Sequence, residues 1–187
     1  MTHAASNGEK NTRTIDTNSA QFVTFYDDAP LWSARFGALL LDNIELRRDM
    51  RVMDLGCGTG FPLFELANSL GNTCRVTGVD IWEPALAHAA AKCQFYGVEH
   101  VDLVKANGAE LPFANDSFDL IVSNLGLNNF EKPYETMREC ARILKKNGRL
   151  ALTTVLGFAD KSHALSLEAE GAKTFSHMSQ LLPLLDA

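Results

Sequence analysis

Residues 51 to 60, Arg-Val-Met-Asp-Leu-Gly-Cys-Gly-Thr-Gly, constrain this chain more than any other stretch. A short apolar run, Val52 and Met53, ends in an acid, Asp54. Gly56, Gly58 and Gly60 follow at every second position. An apolar stretch then opens with Phe61, Pro62, Leu63 and Phe64. The layout is strand, tight glycine turn, helix. Alternate glycines let backbone approach a ligand where a Cβ would collide. The N–H groups at the start of the following helix face the same space.

The details select the ligand. A dinucleotide fingerprint needs Gly-x-Gly-x-x-Gly, so that a pyrophosphate rests on the helix N-terminus. Here the third glycine, Gly60, comes one residue early, and Phe61 holds its place. An acid just before the loop also repels a pyrophosphate. Asp54 suits a ligand carrying positive charge. The heptad Asp54-Leu55-Gly56-Cys57-Gly58-Thr59-Gly60 resembles the first motif of the class I S-adenosylmethionine-dependent methyltransferases. S-adenosylmethionine carries an ammonium and a sulfonium and no phosphate. The resemblance implies that Asp54, Gly56, Cys57, Gly58 and Gly60 hold this cofactor.

Three later patches follow in the order the family has them. Arg75 to Asp80 is a β-branched run ending in an acid, which predicts the second strand. At its spacing from the loop, Asp80 can accept from both ribose hydroxyls of an adenosine. Ile81 and Trp82 come next, and the resemblance makes Trp82 an apolar wall beside the adenine. The residues alone fit a core tryptophan as well. Ala106 to Phe113 resembles the adenine loop, with a departure: the usual Asp-Ala pair is Asn107-Gly108 here. An Asn oxygen still accepts from the adenine amino group, without charge assistance. Glu110 is the second candidate. Ser117 to Asn124 predicts the strand leading to the acceptor, with Asn124 and Asn129 able to orient it, and the resemblance also counts Ile81, Asn107, Gly108 and Asn124 among the cofactor-binding residues. Asn128 reads as loop capping. Pro133 to Lys146 predicts a helix whose Met137, Cys140, Ala141 and Leu144 share a face, stopped by Asn147-Gly148. Arg149 to Val155 predicts a further strand. The resemblance covers roughly residues 20 to 157. It implies helices ahead of the first strand that cover the site, with Tyr26 and Trp32 as lid residues and Tyr26 as an acceptor contact.

Length and composition narrow the rest. A chain of 187 residues suits one core. A formal charge of −6 argues against a nucleic-acid partner. The four cysteines show no Cys-x-x-Cys spacing, which fits reduced thiols and a cytoplasmic protein. The histidines are scattered, so no metal is expected, and His88 is expected to be exposed. The longest compact apolar run, Phe36 to Leu41, is too short for a bilayer.

The expected fold is α/β: a Rossmann-like, mostly parallel sheet flanked by helices. Residues 1–20 are expected to be a mobile tail and residues 21–157 the S-adenosylmethionine-binding core. Residues 158–187 are expected to be a helical segment with possible truncation, since full-length members place two more strands there. Without those strands the fifth strand is a bare apolar edge, an invitation to pair with a second copy or a native continuation. The reading is a methyltransferase acting on a small-molecule acceptor. Its alternatives are a catalytically silent S-adenosylmethionine-binding module or partner subunit and, more remotely, a nicotinamide-dependent oxidoreductase. Methyl transfer from an activated sulfonium needs alignment and dryness more than acid–base help, and no residue stands out as a general base.

Overall fold

A computed structural model describes residues 15–29 and 33–154. The expected C-terminal helical segment, most of the expected tail, and Trp32 lie outside the described residues. Five strands form one sheet: β1 (Arg51–Leu55), β2 (Arg75–Asp80), β3 (Val101–Lys105), β4 (Phe118–Asn124) and β5 (Leu144–Thr153). Their order is β3-β2-β1-β4-β5, and every neighbouring pair is parallel. Strand order therefore reverses at β1, flanked by β2 on one side and β4 on the other. Such a reversal opens a crevice at the carboxyl ends of the central strands.

Alternation along the strands builds two cores. Val52, Val76, Leu120, Val122 and Ala151 point to one face. There they meet Leu63, Leu66, Ala67 and Leu70 of helix α3 (Leu63–Leu70), Leu86 of α4 (Glu83–Tyr96) and Leu40 of α2 (Ser33–Asp42). Met53, Leu55, Val79, Ile121, Leu150 and Leu152 point the other way, onto Met137, Cys140 and Ile143 of α5 (Pro133–Ile143). Gly71 ends α3 at φ 62°, and Gly97 ends α4 in the left-handed region, as their places after each apolar run require.

Two elements differ from expectation. The aromatic patch at residues 21 to 26 is a full helix, α1 (Ala20–Asp28), capped where Ser19 Oγ accepts from the Phe22 N–H at 3.2 Å. Residues 16–19, expected within the tail, form that capping turn. The helix predicted to reach Lys146 stops at Ile143 instead. Its last carbonyls are taken early: Arg142 O accepts from the Asp116 N–H, and Ile143 O from the Ser117 N–H at 2.7 Å. Leu144 then pairs with Phe118. The ladder breaks before Leu120 meets Arg149, and Asn147 has φ 68° within that break. Lys145 is thus a strand residue, ion-paired with Asp119 at 2.8 Å.

Candidate functional site

The glycine loop joins β1 to α3 at the reversal point. The Gly56 and Cys57 N–H groups both donate to Val79 O, which ties the loop to the end of β2. The three glycines have different tasks. A Cβ on Gly56 would press on Gly126 Cα at 3.3 Å and on the Phe130 ring at 3.7 Å. One on Gly60 would run into the Phe64 ring. Gly58, at φ 51°, faces open space, with only Tyr26 Cε1 at 3.8 Å. Cys57 is buried, and its sulfur lies 3.0 Å from where a Cβ on Gly78 would be. The loop therefore presents Gly58 to the crevice and uses its neighbours for packing.

Two acids flank this opening. Asp54 is 0% exposed, and neither carboxyl oxygen has a hydrogen-bond partner among the described residues. Burial first, then the Asp80 charge, raises its pKa to about 8. The Leu63 backbone N–H opposes that rise without forming a full hydrogen bond. A buried acid without a donor is costly, so this pocket calls for a cation or a strong donor. Asp80 is satisfied differently. Its Oδ2 accepts from the Gly58 N–H at 2.7 Å and its Oδ1 from the Trp82 N–H at 2.8 Å. A carboxylate has about four acceptor sites, so two remain for hydroxyl groups.

Helix α1 lies across the opening. The Tyr26 ring meets Trp82 edge-on, with centroids 5.2 Å apart, and Phe22 lies 6.0 Å from Trp82. Burial, with Asp80 second, raises the Tyr26 pKa above its ordinary value. The Trp82 indole N–H is buried without an acceptor among the described residues. Ile81 is exposed at the tip of β2.

The other expected residues divide between the crevice and the framework. Asn107 is exposed beyond β3, and its Oδ1 accepts from the Ala109 N–H at 3.0 Å, which bends the loop into an Asx turn. Glu110 is exposed there too. Gly108 has a packing reason, since a Cβ would meet Thr136 Cγ2 at 2.9 Å. The rest of this loop is held by α5. Arg142 donates to Leu111 O and Phe113 O, and Glu139 accepts from the Leu111 N–H. Asn124 is nearly buried with its amide occupied: Nδ2 donates to Ser33 O at 3.0 Å, and Oδ1 accepts from the Thr153 hydroxyl at 2.7 Å. It stitches α2 and β5 to β4. Asn129 is exposed and donates to Leu125 O at 3.3 Å. Asn128 accepts from the Thr154 hydroxyl at 3.1 Å.

Sequence reasoning missed one cluster. Asp27 of α1 reaches His88 at 3.1 Å and Lys92 at 2.8 Å, and Lys92 also donates to Thr59 O at 3.0 Å. His88, expected to be exposed, is partly buried. Its one legible signal is that residues 88 and 92 share a helix face. Among the described residues no group of three or more metal-ligating side chains gathers, and no helix is long and apolar enough to cross a membrane.

Residues 53–152 match the family model described as a methyltransferase domain. A demethylmenaquinone methyltransferase from Bacillus cytotoxicus is 30% identical over 120 residues, which is 62% of this chain and 51% of that protein. The chain thus spans about half the length of the curated relatives it matches. Among solved structures, the [4+2]-cyclase SpnF aligns at 29% identity and TM-score 0.59, covering 64% of this chain and 44% of that one. An S-adenosylmethionine-dependent methyltransferase from Aquifex aeolicus aligns at 23% identity and TM-score 0.64, covering 72% and 71%. The second likeness speaks for the fold alone. With the glycine loop, the strand order and the family match in agreement, this chain belongs to the methyltransferase-domain family and has the class I S-adenosylmethionine-dependent methyltransferase fold.

Proposed function

We propose that this chain binds S-adenosylmethionine and transfers its methyl group to a small-molecule acceptor. One observation carries the reading: a fully buried Asp54 carboxyl with no hydrogen-bond partner among the described residues, on the strand that runs into the glycine loop. An amino-acid ammonium supplies the missing donors. A pyrophosphate does not, which argues against a nicotinamide cofactor. When bound, the cofactor supplies an activated methyl on sulfur. In this reading Asp54 receives the ammonium, Gly58 allows close approach, and Asp80 uses its free acceptor sites for the ribose hydroxyls. Asn107 faces the adenine amino group, with Ile81 and Trp82 as the apolar side of that pocket. Tyr26, itself 48% exposed, lies with the Phe22 and Trp82 rings over this side of the site and narrows the access of water, which alignment-driven transfer must limit. Asn124 contributes by fixing the end of β4 rather than by touching a ligand, and Asn129 stays an acceptor contact.

The relatives named demethylmenaquinone methyltransferases support a small acceptor of that kind, and the net charge of −6 supports no nucleic acid. Buried free thiols support a reducing compartment such as the cytoplasm. We place the cofactor-binding core at residues 21–157 and a homodimer contact along β5. SpnF, named for a cyclisation, keeps a second reading open, since one fold hosts several chemistries. That reading is a cofactor-binding module without methyl transfer. Calorimetry with S-adenosylhomocysteine against NAD, followed by a methyl-release assay on demethylmenaquinone and other acceptors, tests both. Binding of S-adenosylhomocysteine with methyl release supports the first reading. Binding without release on any acceptor supports the second.

A further inference from the structure

Lys92 sits at a junction of three elements. From α4 it donates to both Asp27 oxygens, at 2.8 and 3.2 Å, and to the Thr59 carbonyl at 3.0 Å. All three ammonium protons are thereby used. Its charge also lies 5.1 Å from the centre of the Phe64 ring on α3. Thr59 stands between Gly58 and Gly60 and is buried. Asp27 directly follows Tyr26, the residue that stands over Gly58. The carboxyl of Asp27 lies below its ordinary range: burial pushes it up, and hydrogen bonds from Lys92, Thr59 and His88 outweigh that. The charge pair is largely screened from solvent, with side-chain exposures of 26% and 23%, where ion pairs hold better than on an open surface.

Nothing in methyl transfer requires a lysine here, and a surface pair would leave the glycine loop alone. We propose that Lys92 and Asp27 form a clasp that makes Lys92 a positioning residue for the donor site. The clasp holds α1 down, sets Tyr26 over Gly58, and fixes the Thr59 carbonyl so that the loop keeps its curvature. Donor binding and closure of α1 then become one event. Opening α1 removes a loop anchor, and a filled loop favours a closed α1.

The proposal rests on the glycine loop being the donor site, and the test separates the two ideas. Hydrogen exchange is followed on residues 20–28 and 58–61, without ligand and with S-adenosylhomocysteine, in the wild type, Lys92→Met, Lys92→Arg and Asp27→Asn. Dissociation rates of S-adenosylhomocysteine are measured alongside. Without ligand, Lys92→Met and Asp27→Asn should speed exchange in both segments while amides of β1 and β4 are unchanged. With ligand, the wild type should slow exchange in α1, and the Met variant should lose that slowing. Dissociation should quicken by about tenfold, the scale of one charge-assisted hydrogen bond lost. The Arg variant should recover part of it. A Lys92→Met/Asp27→Asn double variant should do less harm than the two single effects summed, because their shared bond is lost only once while the Thr59 and His88 contacts are lost separately. Unchanged exchange in both segments in Lys92→Met and Asp27→Asn would overturn the clasp. Additive effects of the two substitutions would overturn it too. A wild type that ignores S-adenosylhomocysteine defeats the donor-site reading instead, and the ligand-free exchange still decides the clasp.

Discussion

At the residue scale, the two acids of the crevice should answer to different experiments. Asp54 has a folded pKa of about 8 against an ordinary 3.8. Between those values the unfolded chain has released its proton and the folded chain has kept it. Asp54 therefore favours the folded state fully below the lower value, and that contribution is lost as pH rises through the upper one. A ligand ammonium favours the ionised carboxyl and reverses this preference. Binding of S-adenosylhomocysteine near neutral pH should release a proton from Asp54, and affinity should rise between about pH 6 and pH 7.5. Calorimetry in two buffers of different ionisation enthalpy measures the release. Methylthioadenosine, which lacks the ammonium, should show neither effect. Equal behaviour of the two ligands would remove Asp54 from the ammonium site. Asp80 answers to substitution. It matters through the Gly58 and Trp82 amides it holds. Asp80→Ala should weaken S-adenosylhomocysteine about 10- to 100-fold, the range for losing hydrogen bonds to a charged group. Unchanged affinity in a titration would show that neither the loop anchor nor a ribose contact depends on it.

Elements differ in how far the chain announces them. β2 ends at Asp80 because a β-branched run meets an acid and then Trp82, and the structure places the boundary there. Gly71 and Gly97 close α3 and α4 for reasons visible in the sequence. The end of α5 was not legible. Asn147-Gly148 is a fitting stop, yet backbone donors from residues 116 and 117 claim the helix carbonyls first, and those come from elsewhere in the chain. The Asp27–Lys92 contact is hidden for the same reason, since the two residues are 65 apart. Of the candidate site, the loop and Asp80 were readable from spacing. The framework duties of Asn124 and Gly108 were not, because they depend on Ser33, Thr153 and Thr136 meeting them. The loop itself offers a sharp test. Gly58→Val should abolish S-adenosylhomocysteine binding, since a branched side chain at φ 51° is strained and fills the space below Tyr26. Circular dichroism should stay native, because nothing else crowds that position. A variant that binds normally would reduce the loop to a plain turn.

For the whole molecule, β5 is the sensitive border. Leu150 and Leu152 are covered by α5 and Ala151 by the opposite core, yet among the described residues no strand pairs with its outer backbone. Unpaired strand edges recruit partners. The 187-residue chain should sediment as a dimer, with slow exchange at the outward amides of residues 150 to 153. A monomer with fast exchange there would refute the β5 contact. The strand order has a last consequence, for how the chain assembles as it is made. β1, β2 and β3 are consecutive in sequence and adjacent in space, so they can pair as they leave the ribosome. β4 must then dock on the other side of β1, which waits as an open border until residue 124 has emerged. Such delayed long-range pairing slows folding. Asp54, Gly58, Asp80 and Asn107 all precede that step. The nascent chain thus makes the residues proposed for the donor before the elements that fix them, since Gly126 packs on Gly56 and α5 holds the loop after Asn107, so the early half takes its final shape only when the later half docks.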